Sequence, residues 1–349
     1  MDKLLETANR LLLEVELKPV QGDRFQSTGF ASLGPAIYER PDGTRMLLVE
    51  SAQSMANRLE KVCLDGDGPY IRPELKGLPY IVSKLSGASS VVTSSLVEAH
   101  RINSPFILTA DADFQDKVRK GCNYDPKGVL DWKSIAKTIF RFDTNSLVHG
   151  VFLSNLEGGR VRLPRAVTSF IEAEDVREVA SGGVKNSFDP TGTIVVNKAT
   201  EDKDVYSNVP YHRLEFVAGK IRCFFNVDLA LLRGYGLGES ATDLLTSLCL
   251  LKIRLLLDGG LRLRTACDLM PVGEFVVTQP LGFGLPKTAE LIEEVSKGIA
   301  ACRQAGLFSE AVDGVTVLSP LTKTKASKKK GPTGSDEAKD DGEGAEAEE

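Results

Sequence analysis

What this chain lacks rules out much of the chemistry open to a protein of 349 residues. It has no basic excess: 43 Lys and Arg stand against 48 Asp and Glu, a net charge of −5. The high pI by which many nucleic-acid binders are recognised is therefore missing. Six cysteines, at 63, 122, 223, 249, 267 and 302, form no CxxC pair and no cluster with metal-ligand spacing. Reduced, mostly buried thiols in a cytoplasmic protein, with no metal and no cofactor, are the expectation. There is no H-E-x-x-H, no G-x-S-x-G and no P-loop lysine motif. The run Gly-Tyr-Gly-Leu-Gly at 234–238 brings its third glycine one residue too early for a dinucleotide loop. The most apolar stretch is interrupted by Lys252 and Arg254, so it reads as a core helix and not a membrane span. Asp2 and Glu6, ahead of or among the first leucines, argue against a secretory signal.

Hydrophobic content of 42% and charged content of 26% describe an ordinary soluble globular protein of one large or two smaller domains. Beyond about residue 320 the character changes. Lys328-Lys329-Lys330 leads into an acid-rich run ending at Glu349, with nothing to bury. Residues 321–349 are expected to be a disordered charged tail. The body that remains is still slightly acidic, so any polyanion site must come from local clustering. Arg160, Arg162 and Arg165 fall in a stretch without acids, as do Arg262 and Arg264.

Residues 11–17 begin apolar and then alternate, which suits a strand, with a helix as competitor. Gly22–Phe25 turns the chain, and Met46–Val49 is a short strand. Ser51 caps a helix striped by Ala52, Met55, Ala56, Leu59 and Val62, with Gln53, Asn57 and Arg58 on its other face. Residues 64–140, punctuated by glycine and proline, read as an irregular insertion. Val148–Leu153 and Arg160–Leu163 read as strands, 166–173 as a short helix, Thr193–Val196 as an apolar run, and 214–217 with 221–227 as a hairpin. Ser240 with Asp243 predicts a capping box, and the leucines from Leu244 to Leu256 a helix ended by Gly259 and Gly260. Leu261 and Leu263 then alternate with Arg262 and Arg264, giving a strand with one aliphatic and one arginine face. Residues 290–302 form a last helix. Stripped of insertions the order is strand, helix, strands, helix, strand, as in a β-α-β-β-α-β unit.

Several blocks carry a family resemblance in order along the chain: V-E-S-A-Q-S-M-A-N-R-L-E (49–60), S-L-V-E-A-H-R-I-N-S-P (95–105), G-R-V-R-L-P-R-A (159–166), S-G-G-V-K-N (181–186), N-V-P-Y-H-R (208–213), N-V-D-L-A-L-L-R-G-Y-G-L-G-E-S (226–240) and D-G-G-L-R-L-R-T-A-C-D (258–268). Together, from about residue 11 to 308, the chain resembles the RAMP superfamily of CRISPR-Cas proteins. Specifically, it resembles the backbone subunit of Cascade-type complexes of subtype I-G (formerly I-U).

The resemblance implies an α+β fold, an RRM-like (ferredoxin-like) palm with large finger- and thumb-like insertions in a single RAMP-type domain over 1–320. The palm would comprise about 9–63, 141–156 and 208–308, the finger about 64–140 and the thumb about 156–207. The RNP1 pattern of ordinary RRM domains is absent, and Phe224-Phe225 reads as core. It further implies a non-catalytic, cytoplasmic protein that oligomerises head-to-tail along CRISPR RNA beside other Cascade-type subunits and supports guide pairing with target DNA. RNA contacts would fall to Arg24, Gln53, Asn57, Arg58, Arg101, Arg160, Arg162, Arg165, Lys185, Asn186, Arg262 and Arg264. For each of these a solvated surface role stays open. Two alternatives also stay open: a metal-independent endoribonuclease using His100, His149 or His212 on CRISPR repeat RNA, and a scaffold without RNA contact.

Overall fold

The alternation at the N-terminus resolves as strand. β1 (Arg10–Pro19) buries Leu11, Leu13, Val15 and Leu17 and turns Glu14, Glu16 and Lys18 the other way. In this computed structural model, residues 3–30, 34–66, 68–87, 90–156, 159–185 and 209–321 are described. Residues 322–349 of the expected tail, Asn186 and the apolar run Thr193–Val196 lie outside them, whereas Leu321 ends a strand.

β1 sits inside a mixed α+β architecture built on an antiparallel main sheet. Its other strands are β2 (Ile37–Glu39), β3 (Arg45–Glu50), β6 (Val167–Glu174), β9 (Lys220–Asp228), β10 (Leu261–Arg264), β11 (Cys267–Pro271) and β12 (Val276–Gln279). They lie in the order β10-β11-β1-β9-β6-β3-β2, with β12 also on β1. Helix α1 (Ala52–Lys61) follows β3, and helix α5 (Glu239–Asp258) lies between β9 and β10. The path β1, α1, β6, β9, α5, β11 runs strand-helix-strand-strand-helix-strand, although the sequence reads β6 as a helix and places the closing strand at β10. The inward residues of each strand form one core with Met55 and Leu59 of α1 and the leucines of α5.

Several expectations are corrected. Residues 166–173 are not a helix but strand β6, whose Val167, Ser169, Ile171 and Ala173 are buried alternately. Its ladder is completed on both sides, by β9 and β3. A stretch assigned to the thumb is therefore a central strand. Residues 148–153 are not one strand either. Asp143 caps α4 (Thr144–His149), Gly150 ends it with φ of 77°, and only Val151–Phe152 is extended. There is no capping box at Ser240: α5 begins at Glu239 behind Gly238 (φ 90°), with no side-chain cap.

Residues 64–140 are not irregular. They hold β4 (Tyr80–Leu85), β5 (Val91–Ser94), α2 (Ala112–Gly121) and α3 (Trp132–Phe142). The Asp111 and Asp131 carboxylates accept from Phe114 N and Ser134 N at 3.0 and 3.1 Å, the N-cap signal that the breakers masked. β4 pairs in parallel with β13 (Val315–Leu321), closing a second, three-stranded sheet. β7 (Arg177–Lys185) and β8 (Val209–Val217) form a separate ribbon that continues the β6–β9 pair beyond the main sheet. The last helix, α6 (Thr288–Gln304), packs beside α5.

All six cysteines are free and buried, and burial pushes the Cys223 and Cys249 thiols up to about 12. Among the described residues no helix is long and apolar enough to cross a membrane.

Candidate nucleic-acid interface

α1 organises the candidate residues. Ser51 Oγ caps it, accepting from Ser54 N at 3.2 Å, and its apolar stripe packs inward, although Ala52 itself is exposed. On the outward face Gln53 donates to Asn57 Oδ1 at 3.1 Å and accepts a hydrogen bond from Arg165. One turn on, Arg58 donates to Glu50 Oε1 at 3.1 Å and to the Leu263 carbonyl at 2.7 Å. Glu60 takes the Arg101 guanidinium in a fork, at 2.6 and 2.8 Å. Of the expected contacts, Gln53, Asn57 and Arg165 are thus joined by hydrogen bonds, whereas Arg58 on the same helix is tied to Glu50 and Leu263 instead.

Arg165 opens onto a cavity of about 550 Å³ lined also by His100, Arg101, His149, Phe152 and Arg162. Arg101 is only 8% exposed, at the cavity floor, where it also donates to the Gly150 carbonyl at 2.8 Å. Gly150 is required there. Its φ is positive, and a Cβ would stand 2.7 Å from the Leu163 carbonyl oxygen. At the rim, the Arg162 guanidinium lies 4.4 Å above the Phe152 ring, which is 40% exposed. Burial, and then neighbouring Arg101, lower the pKa of Arg165, while Glu60 acts against both.

Behind the cavity is a buried polar network. The Lys252 ammonium donates to Asn145 Oδ1 at 2.6 Å and to the Leu59 carbonyl at 3.3 Å, and lies 3.0 Å from His149 Nε2. Burial first, then Lys252, Arg101 and Arg165, hold His149 well below the ordinary imidazole range, so its ring is neutral.

Residues 11–178 match the sequence model of the family described as CRISPR-associated protein GSU0053. Over this stretch, just under half of its length, the chain is similar to that CRISPR-associated family. No curated protein sequence matches it. Two solved structures are similar. One is described as a CRISPR RNA-guided surveillance complex, pre-nicking, with 13% identity and a TM-score of 0.37 over 85% of this chain and 89% of that one. The other is a CRISPR RNA-guided surveillance complex, with 12% identity and a TM-score of 0.29 over 85% and 88%.

The remaining candidates scatter. Arg264 is turned inward, donating to Gln26 O at 2.8 Å and to Glu50, so the arginine face of β10 is not free as a unit. Arg262 is exposed, with no hydrogen bond or ion pair among the described residues. Arg160 donates to the Asp125 and Gly128 carbonyls, both at 3.0 Å, and braces that loop. Arg24 pairs with Glu215 at 3.7 Å, and Lys185 is exposed at the end of β7.

Sequence reasoning missed Phe152, which passed for part of a buried strand. It missed Lys252 too, which served only to interrupt an apolar helix. Phe224 and Phe225 divide: Phe225 is core, whereas Phe224 stacks on Phe170 at 5.0 Å on the other sheet face. Glu14 and Glu174 hold Arg222 there, so this face offers little to phosphates.

Proposed function

We propose that this protein is the RNA-binding backbone subunit of a Cascade-type effector complex of subtype I-G. In this reading it is non-catalytic and oligomerises head-to-tail along CRISPR RNA, beside other Cascade-type subunits and the target DNA. The main sheet with α1 and α5 serves as the RRM-like palm, the β7–β8 ribbon belongs to the thumb, and residues 64–140 form the finger. The supporting observation is the cavity, which gathers Arg101, Arg162 and Arg165 beside exposed Phe152 and is tied through Gln53 to the polar face of α1. Guanidinium groups grip phosphates, and an exposed ring stacks on any base, so such a surface holds RNA irrespective of sequence. That suits a complex in which base pairing reads the target. A local site also reconciles RNA binding with a net charge of −5.

His100 and His149 share the cavity, which gives the endoribonuclease reading its one structural support. Acid–base catalysis needs a histidine free to exchange a proton. The Nε2 of His149 is engaged by Lys252 and its ring is held neutral, so the pair is ill-suited to that task. The deciding experiment is sequencing of the RNA that co-purifies with the tagged protein, expressed with its companion subunits and a CRISPR array. Uniform, array-derived RNA with a repeating footprint is the expected result. Absence of RNA, or random cellular RNA, would overturn the proposal in favour of a scaffold.

A further inference from the structure

The three hydrogens of the Lys252 ammonium face three acceptors: the Leu59 carbonyl, Asn145 Oδ1 and His149 Nε2. Asn145 is oriented by its own amide, which donates to Glu60 Oε1 at 3.2 Å and so turns Oδ1 towards the lysine. With both other acceptors served, the His149 Nε2 lone pair receives the third hydrogen. The ring proton of this neutral imidazole must then sit on Nδ1. That Nδ1 is buried and has no hydrogen-bond partner. Buried polar groups are ordinarily paired, and an exception calls for an explanation.

His149 is one of the residues that line the cavity. Arg165 at this cavity is hydrogen-bonded to the neutral Gln53 amide and Arg162 lies over the Phe152 ring; among the described residues neither guanidinium forms an ion pair, and Glu60, paired with Arg101, acts on Arg165 only through its field. Arg101 alone is neutralised, by Glu60. We propose that the cavity is a seat for one phosphodiester group. Arg162 and Arg165 supply the charge, His149 Nδ1–H supplies a neutral donor, and Lys252 acts as the positioning residue that fixes the donor's tautomer. The seat rests on the RNA-binding reading above but assigns a ligand group and two residues, His149 and Lys252, that no motif marks. A neutral donor adds directional hydrogen bonding without adding charge, so it strengthens binding without releasing counterions.

This leaves a signature that a simple basic patch lacks. With the full chain and a single-stranded RNA oligonucleotide, Arg165→Ala is expected to lower the slope of log affinity against log salt by about 1. His149→Phe is expected to weaken binding about tenfold with the slope unchanged. His149→Gln keeps an acceptor for Lys252 and an N–H donor, and should stay within about twofold of the parent. In case the Phe variant fails to fold, the parent protein carrying ¹⁵N-histidine is titrated with the same oligonucleotide, with its methylphosphonate counterpart and with inorganic phosphate. The oligonucleotide should shift the His149 Nδ1 resonance, and the uncharged counterpart should not. RNA that binds without moving this resonance would overturn the seat while leaving the RNA-binding role standing. A shift with inorganic phosphate alone would also overturn it, in favour of a free-anion site. Failure of the intact protein to bind RNA at all would instead overturn the underlying role.

Discussion

Arg264, at the end of β10, forms an ion pair with Glu50 of β3, a carboxylate with no exposure to solvent. Arg58 of α1 donates to the same carboxylate. The strand whose arginines read as a ready phosphate-binding face is therefore pinned to the sheet by one of them. Only Arg262 remains on offer.

Removing that carboxylate should leave two half-buried guanidinium groups uncompensated. Glu50→Gln is expected to destabilise the fold by about 3–5 kcal/mol, as measured by urea denaturation. Arg262→Ala, on the exposed side, should stay within about 0.5 kcal/mol of the parent. Equal effects from the two variants would mean that the pair does not brace the sheet.

Arg162 and Arg165 are the cations best placed to meet RNA. Arg162→Ala combined with Arg165→Ala should weaken RNA binding and lower the salt slope by about 1, because the one phosphate they share would no longer be neutralised. Fluorescence anisotropy at several salt concentrations reads both quantities. Unchanged affinity would place the RNA track elsewhere.

Phe152 stands exposed beneath Arg162, so its ring contributes little to the core. Phe152→Ala should weaken RNA binding by about 1–3 kcal/mol, the worth of one stacked base. Its melting temperature should match that of the parent. A loss of stability without loss of affinity would assign the ring to packing.

Asp143 caps α4 from full burial, and burial pushes its carboxyl from the ordinary 3.8 up to about 6, against hydrogen bonds from Ser146 and the field of Arg101. Between these two values the folded protein holds a proton that the unfolded chain has released. The contribution of Asp143 to stability is therefore full below pH 3.8 and is lost as the pH rises through about 6. Asp143→Asn should abolish this dependence, so its stability relative to the parent should rise by roughly 3 kcal/mol across the window. Denaturation curves at several pH values, with a constant difference between the two proteins, would show that Asp143 does not titrate there.

Elements whose signal is local were legible in the sequence. α1 showed in Ser51 and its stripe, β1 and β9 in their alternation, and the end of α5 in Gly259 and Gly260. β6 was not legible as a strand. Ala166, Phe170 and Ala173 have helical spacing, and the choice was made by β3 and β9 pairing on either side of it. α2 and α3 were hidden behind glycines and prolines, although their aspartate caps were there to be read.

By itself the sequence determined the order of β1, β3, α1, β9, α5 and β10, the absence of familiar catalytic motifs and the likeness to a CRISPR-associated family. These rest on periodicity, capping and motif spacing, which act over a few residues at a time. Only the tertiary structure decided which arginines are free and which are bound. The partner of Arg264 lies 214 residues away in the chain, and that of Arg101 41 residues away. His149 and Lys252, 103 residues apart, meet only because α4 and α5 pack together. A guanidinium or imidazole takes its role from whichever group stands within about 3 Å of it, and for these residues that neighbour is set by packing and not by the chain beside them.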